Sequence, residues 1–114
     1  MTNKIYHNPR CGKSRCAVQY FEEKGIEFET VKYLETPLDK KEIQALLKKL
    51  KLQPIDIVRI KEKIWLKNFK GRDLSDEEIL EALVQHPILI ERPIVVIGNK
   101  AVIARPIENV EKIL

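Results

Sequence analysis

Ile5-Tyr6-His7-Asn8-Pro9-Arg10-Cys11-Gly12-Lys13-Ser14-Arg15-Cys16 passes from a short β-like stretch, through a proline, into an amphipathic helical pattern. Cys11 therefore falls where a strand ends and a helix begins. The first N–H groups of a helix have no intrahelical partner, and the helix dipole favours an anion there. Arg10, Lys13, Arg15 and His7 add positive charge around the sulfur. A thiol so placed is expected to ionise more readily than a free one, and the thiolate is the reactive form. The same groups would hold an oxyanion beside it.

The pattern on either side sets the architecture. Lys4 to His7 reads as a strand, and Lys13 to Lys24 as a helix with Ala17, Tyr20 and Phe21 on one face. Gly25 is placed to end that helix. Phe28 to Leu34 alternates and is rich in β formers, which makes a βαβ unit with parallel strands. A helical block follows. Asp39 with Glu42, and Ser75 with Glu78, form capping boxes ahead of Ile43, Leu46, Leu47, Leu50 and of Ile79, Leu80, Leu83, Val84. Between them, Pro54 opens a short helix, and Lys61 to Phe69 forms another with Ile64 and Trp65 inward. The period then changes. Ile94 to Ile97 and Ala101 to Ala104 flank Gly98-Asn99-Lys100 as a hairpin, and Pro106 starts a last helix. The expectation is an α/β, thioredoxin-like fold with a four-stranded mixed sheet, β-α-β then β-β-α. It is one domain over residues 1–114, with a helical insertion between strands 2 and 3 at about residues 39–90.

Composition narrows the class. The 114 residues are 44% hydrophobic and 33% charged, enough for a core without metal or disulfide staples. No apolar run reaches a membrane span, and the start of the chain lacks a signal-peptide core, so the cytoplasm is expected. The net charge of +4 does not mark a nucleic-acid binder. Lys40, Lys41, Glu42, Lys48, Lys49 and Lys51 read as a solvated face, and no aromatic stacking platform is interleaved with basic residues. There is no zinc-ligand spacing, so no metal is expected.

The motifs His7-Asn8-Pro9-Arg10-Cys11-Gly12-Lys13-Ser14-Arg15, Tyr33-Leu34-Glu35-Thr36-Pro37, His86 through Val96, and Ala104-Arg105-Pro106 give the chain its kinship. It resembles the glutaredoxin-coupled arsenate reductases, ArsC-like members of the thioredoxin superfamily, over essentially its whole length. The resemblance implies that the Cys11 thiolate attacks arsenate to form an adduct. Glutathione then adds as co-substrate, and glutaredoxin helps to reduce and release arsenite. It also implies three oxyanion-binding arginines: Arg92 and Arg105 through their Arg-Pro contexts, and Arg59 through Ile57-Val58-Arg59. In thioredoxin folds a cis proline facing the cysteine commonly precedes the third strand, which points to Pro93. No bound cofactor, nucleic acid or membrane is implied, and a monomer is expected.

Other readings stand beside this one. Cys16 lies five residues beyond Cys11, about 7.5 Å of helical rise, outside easy disulfide reach. A core cysteine is favoured over a resolving thiol there. His7 either supports the thiolate electrostatically or ends a strand. Ser14 either donates to the sulfur or oxyanion, or caps the helix. An ArsC-like oxidoreductase acting on another oxyanion or on a glutathionylated thiol is the alternative function. A redox regulator like the Spx proteins ranks below both, because Ser14 holds the second place of their Cys-x-x-Cys switch. The phosphatase type of arsenate reductase needs Cys-x5-Arg, and Ala17 occupies that arginine's position.

Overall fold

The computed structural model describes residues 3–114. Four strands, β1 (Lys4–Tyr6), β2 (Glu29–Val31), β3 (Ile94–Ile97) and β4 (Lys100–Ile103), form one sheet in the order β2-β1-β3-β4. β1 is parallel to β2 and antiparallel to β3, and β3 is antiparallel to β4. The mixed sheet is the one expected, with shorter edges. β2 stops at Val31 rather than Leu34, because Glu35 and Thr36 N–H both return to the Lys32 carbonyl and turn the chain. β4 begins one residue earlier than expected, at Lys100, since Gly98 (φ 64°) and Asn99 alone make the turn. Glycine supplies the left-handed φ there at little cost.

Two compact units are present: residues up to Thr36 with Arg92–Leu114, and Pro37–Glu91. In the first, α1 (Gly12–Lys24) packs Ala17 and Phe21 against Ile5 and Val95, which are cross-strand partners on one sheet face. Ala104 and Val110 complete this fully buried cluster. The Phe21 ring meets Phe28 edge-on at 5.5 Å. Gly25, at φ 68°, ends α1 as expected, with the Gly25 and Ile26 N–H groups closing on Glu22 and Phe21 carbonyls. The C-terminal segment Ile107–Lys112 is a 3-10 helix rather than an α-helix, docked on α1 and β4. At six residues it is held by packing of Val110 more than by its own hydrogen bonds.

The second unit covers nearly the segment expected as an insertion. It holds α2 (Lys40–Leu50), α3 (Lys63–Asn68) and α4 (Asp76–Gln85), with 3-10 turns at Pro54–Ile57 and Pro87–Leu89. Both capping boxes close: Asp39 Oδ1 accepts from Glu42 N–H at 2.8 Å, and Ser75 Oγ from Glu78 N–H at 3.2 Å. α2 and α4 meet through stripes whose Ile43, Leu46, Leu47, Ile79, Leu80 and Leu83 are buried. α3 is shorter than expected: Trp65 is buried and stacked on Phe69 at 5.2 Å, whereas Ile64 is only half-buried. His86 ends α4 as its C-cap.

Lys51 terminates α2 in the left-handed region at φ 60°, the only described non-glycine residue with positive φ. An L side chain is disfavoured there by roughly 1–2 kcal/mol, which glycine avoids at some cost in unfolded-chain entropy. Lys51→Gly is therefore expected to stabilise the protein by about 0.5–1 kcal/mol, read as a higher urea midpoint at unchanged slope. Phe21→Ala, removing a fully buried ring, is expected to cost about 3–5 kcal/mol in the same measurement.

Candidate active site

The site follows from strand register. Tyr6, the last residue of β1, pairs with Ile94, the first of β3, and Ile94 pairs with Ile103, the last of β4. The chain leaving β1, the chain entering β3 and the chain leaving β4 therefore lie at one end of the sheet, where these adjacent strands terminate. These segments carry Cys11, Arg92-Pro93 and Arg105-Pro106. Both Arg-Pro peptide bonds are cis, and Pro93 is fully buried.

The loop before Cys11 is tightly built. Asn8 accepts the Cys11 N–H on its carbonyl at 2.9 Å and the Arg10 N–H on its side-chain oxygen at 3.0 Å. Pro9 presets φ at the second position of this turn, and Asn at the first position suits the side-chain bond. The buried Asn8 N–H donates to Ser14 Oγ at 3.1 Å, and Ser14 is fully buried. Arg15 Nη1 donates to the Pro9 carbonyl at 3.0 Å. Cys11 is the N-cap of α1, in extended backbone conformation and half-buried.

The thiol pKa is lowered. Partial burial pushes its pKa up, but hydrogen bonding from the Ser14 N–H, the Arg92 guanidinium and the Lys13 N–H, together with the Arg92 charge, outweighs this and holds it below the ordinary thiol range. Arg105 Nη1 lies 4.0 Å from Cys11 Sγ and donates to the Arg92 carbonyl at 3.3 Å. Asn109 Nδ2 fastens the stretch that carries Arg105, donating to the Ile103 carbonyl at 3.0 Å and the Arg105 carbonyl at 3.3 Å. The structure thus brings Cys11, Arg92 and Arg105 together. Ser14 serves the sulfur through its backbone N–H, while its hydroxyl pins the loop.

Three expectations are revised. His7 does not supply positive charge: its burial, aided by Lys32 and Arg15, lowers its pKa, so near neutral pH it is uncharged. Its Nδ1 has no hydrogen-bond partner among the described residues. The side chains of Arg10, Lys13 and Arg15 are not among the causes of the Cys11 shift; the charge that acts is Arg92. Cys16 is not a core residue. It is exposed, because α1 buries Ser14, Ala17 and Phe21 and turns Cys16 outward. Both cysteines are free. Arg59 belongs to the second unit, where Nε meets Glu62 at 3.1 Å and Nη1 meets Glu91 at 3.3 Å. Its backbone N–H donates to the Leu89 carbonyl at 2.7 Å, beside the Val58–Ile90 bridge.

Asn8 and Asn109 are the positioning residues that sequence reading overlooked. Asn8-Pro9 is a turn-initiating pair and carried a usable signal. Asn109 carried none, since its partners lie on carbonyls four and six residues upstream.

Fold and site together define a class: a thioredoxin-like α/β protein whose first helix begins at a thiol of lowered pKa with two arginines beside it. The chain belongs to the ArsC family, whose profile matches residues 6–113. It is 42% identical over 113 residues to the arsenate reductase of Neisseria meningitidis, covering 97% of each chain. It is 45% identical over 113 residues to the uncharacterized protein YfgD of Escherichia coli, covering 97% of this chain and 95% of that one. The solved structure of an arsenate reductase from Vibrio cholerae superposes with a TM-score of 0.94 at 40% identity, over 100% of this chain and 98% of that one.

Removing the Arg92 guanidinium should raise the Cys11 pKa. In Arg92→Gln, the pH midpoint for alkylation of Cys11 by iodoacetamide, followed by peptide mass spectrometry, is expected to move upward from its wild-type position. Ser14→Ala leaves the buried Asn8 N–H without its acceptor and is expected to cost about 1–3 kcal/mol in denaturant unfolding.

Proposed function

We propose that the protein reduces arsenate to arsenite, with Cys11 as nucleophile and glutathione and glutaredoxin as the external reductants. The observation that carries this is the convergence of a thiol of lowered pKa with the Arg92 and Arg105 guanidiniums at one end of the sheet. The names of close ArsC relatives from Neisseria meningitidis and Vibrio cholerae support the choice of arsenate among tetrahedral oxyanions.

The chemistry suits these groups. Arsenate is an anion near neutral pH, so an approaching thiolate meets like-charge repulsion. Guanidiniums cancel that repulsion and offer forked donors matched to an oxyanion, which an ammonium does not. The Cys11 sulfur displaces one oxygen from arsenic, which leaves as water after protonation, and forms a sulfur–arsenic(V) bond. A second thiol, from glutathione, supplies the other half of the electron pair. Two thiols become one disulfide while arsenic(V) becomes arsenic(III), so arsenate and two thiols yield arsenite, a disulfide and water. Thiol exchange with glutaredoxin then returns Cys11 to its reduced form. The external reductant is needed because Cys16, the only other cysteine in the chain, faces outward on α1. No step is assigned to Arg59, whose charge is met within its own unit by Glu62 and Glu91. The reading places the protein as a monomer in the cytoplasm, where reduced glutathione is abundant.

The purified protein is expected to form arsenite from arsenate when glutathione and glutaredoxin are both supplied. Cys11→Ser should abolish turnover, Cys16→Ser should retain it, and Arg105→Lys should lower kcat/KM by about tenfold or more. Absence of arsenite with both reductants present would overturn the proposal.

A further inference from the structure

We propose that Arg10 and Lys13 form a carboxylate-docking rim for the thiol that attacks from outside, a subsite separate from the Arg92–Arg105 oxyanion site. The inference rests on Cys11 being the reacting thiol, and it concerns how the reducing partner is recognised.

Two sets of cations lie by Cys11, Arg92 and Arg105 through the fold and Arg10 and Lys13 through the sequence, and they are differently engaged. Arg92 and Arg105 both reach the sulfur, and Arg105 also donates to the Arg92 carbonyl. Arg10 and Lys13 are exposed, and neither side chain has a hydrogen-bond or ion-pair partner among the described residues. The first turn of α1 contains no acidic residue to neutralise them. Their backbones are fixed nonetheless: the Arg10 N–H is held by Asn8 Oδ1, and Lys13 lies in the first turn of α1 with its N–H on the thiol. They are therefore anchored on either side of Cys11-Gly12 with their charges unspent.

Gly12, between them in the chain, carries no side chain. A Cβ there would find, beyond its own chain neighbours and local helix backbone, only Arg15 Nη2, at 3.7 Å. Gly12 is exposed and Cys11 half-exposed, and the second sulfur is taken to reach Cys11 on this side. A donor arriving by that route passes between two free cations. A thiol carrying carboxylates would pair with them, whereas a neutral thiol would gain nothing. The ligand class is accordingly a small carboxylate-bearing thiol or its disulfide, of which glutathione is the probe.

Thiol–disulfide exchange isolates this step. The Cys11 thiolate attacks a disulfide, one sulfur–sulfur bond forms and one breaks, and the leaving thiolate carries away the electron pair. Second-order rate constants would be measured by stopped flow for Cys16→Ser protein, which has one thiol, with oxidised glutathione and with neutral hydroxyethyl disulfide. In Arg10→Gln/Lys13→Gln on that background, the oxidised glutathione rate is expected to fall about tenfold, and the neutral rate to stay within about twofold. Raising salt should erase the difference between parent and variant. Comparing the two disulfides cancels any change in Cys11 pKa, which would move both rates together. Equal slowing with both, or no slowing with either, overturns the rim. No arsenate enters the assay, so its outcome is independent of whether arsenate is the substrate.

Discussion

Everything functional in this molecule depends on the register that sets Ile94 between Tyr6 and Ile103. Those pairings align the exit of β1, the entry of β3 and the exit of β4. A one-residue slip would turn each strand's buried side chains to the opposite face, so the core enforces the alignment strongly. Ile5 and Val95 pair on the face that α1 covers, and Ala17, Phe21, Ala104 and Val110 seal them. The same packing that stabilises the first unit therefore assembles Cys11, Arg92 and Arg105 from three distant parts of the chain.

Given that frame, activation of the thiol is local. Asn8 and Ser14 hold the turn, so Cys11 meets α1 as its N-cap and receives backbone N–H groups from Lys13 and Ser14. These donors are already oriented when the sulfur loses its proton, and little rearrangement is needed to hold an anion. Arg92 adds charge and a directed hydrogen bond. Other basic residues of this stretch act differently: Arg15 braces the Pro9 carbonyl, and His7 is kept neutral by burial. Local charge count is thus a poor guide to what stabilises the thiolate.

Much of this frame was legible in the residues themselves. Period-2 runs, two capping boxes, Gly25 and the Gly98 turn locate most elements, because each is decided by neighbours a few positions away. Elements settled by tertiary packing were read less well, as with the shortened β2 edge and the 3-10 form of Ile107–Lys112. Cys16 was misjudged for a related reason. Residue type favours burial, but the phase of α1 is set by Ala17 and Phe21, which turns residue 16 outward. Asn109 was invisible, since its role is to hold backbone carbonyls whose positions only the fold supplies.

The central claim is that Cys11 supplies one thiol of the reducing pair and an external molecule the other. It is tested most directly by a single turnover of reduced protein with arsenate and glutathione, without glutaredoxin, quenched in acid and mapped by peptide mass spectrometry. The account predicts one arsenite formed per chain, with glutathione disulfide-bonded to Cys11 and Cys16 unmodified. Arsenite formed while Cys11 stays unmodified, or with Cys11 joined to Cys16, would contradict it.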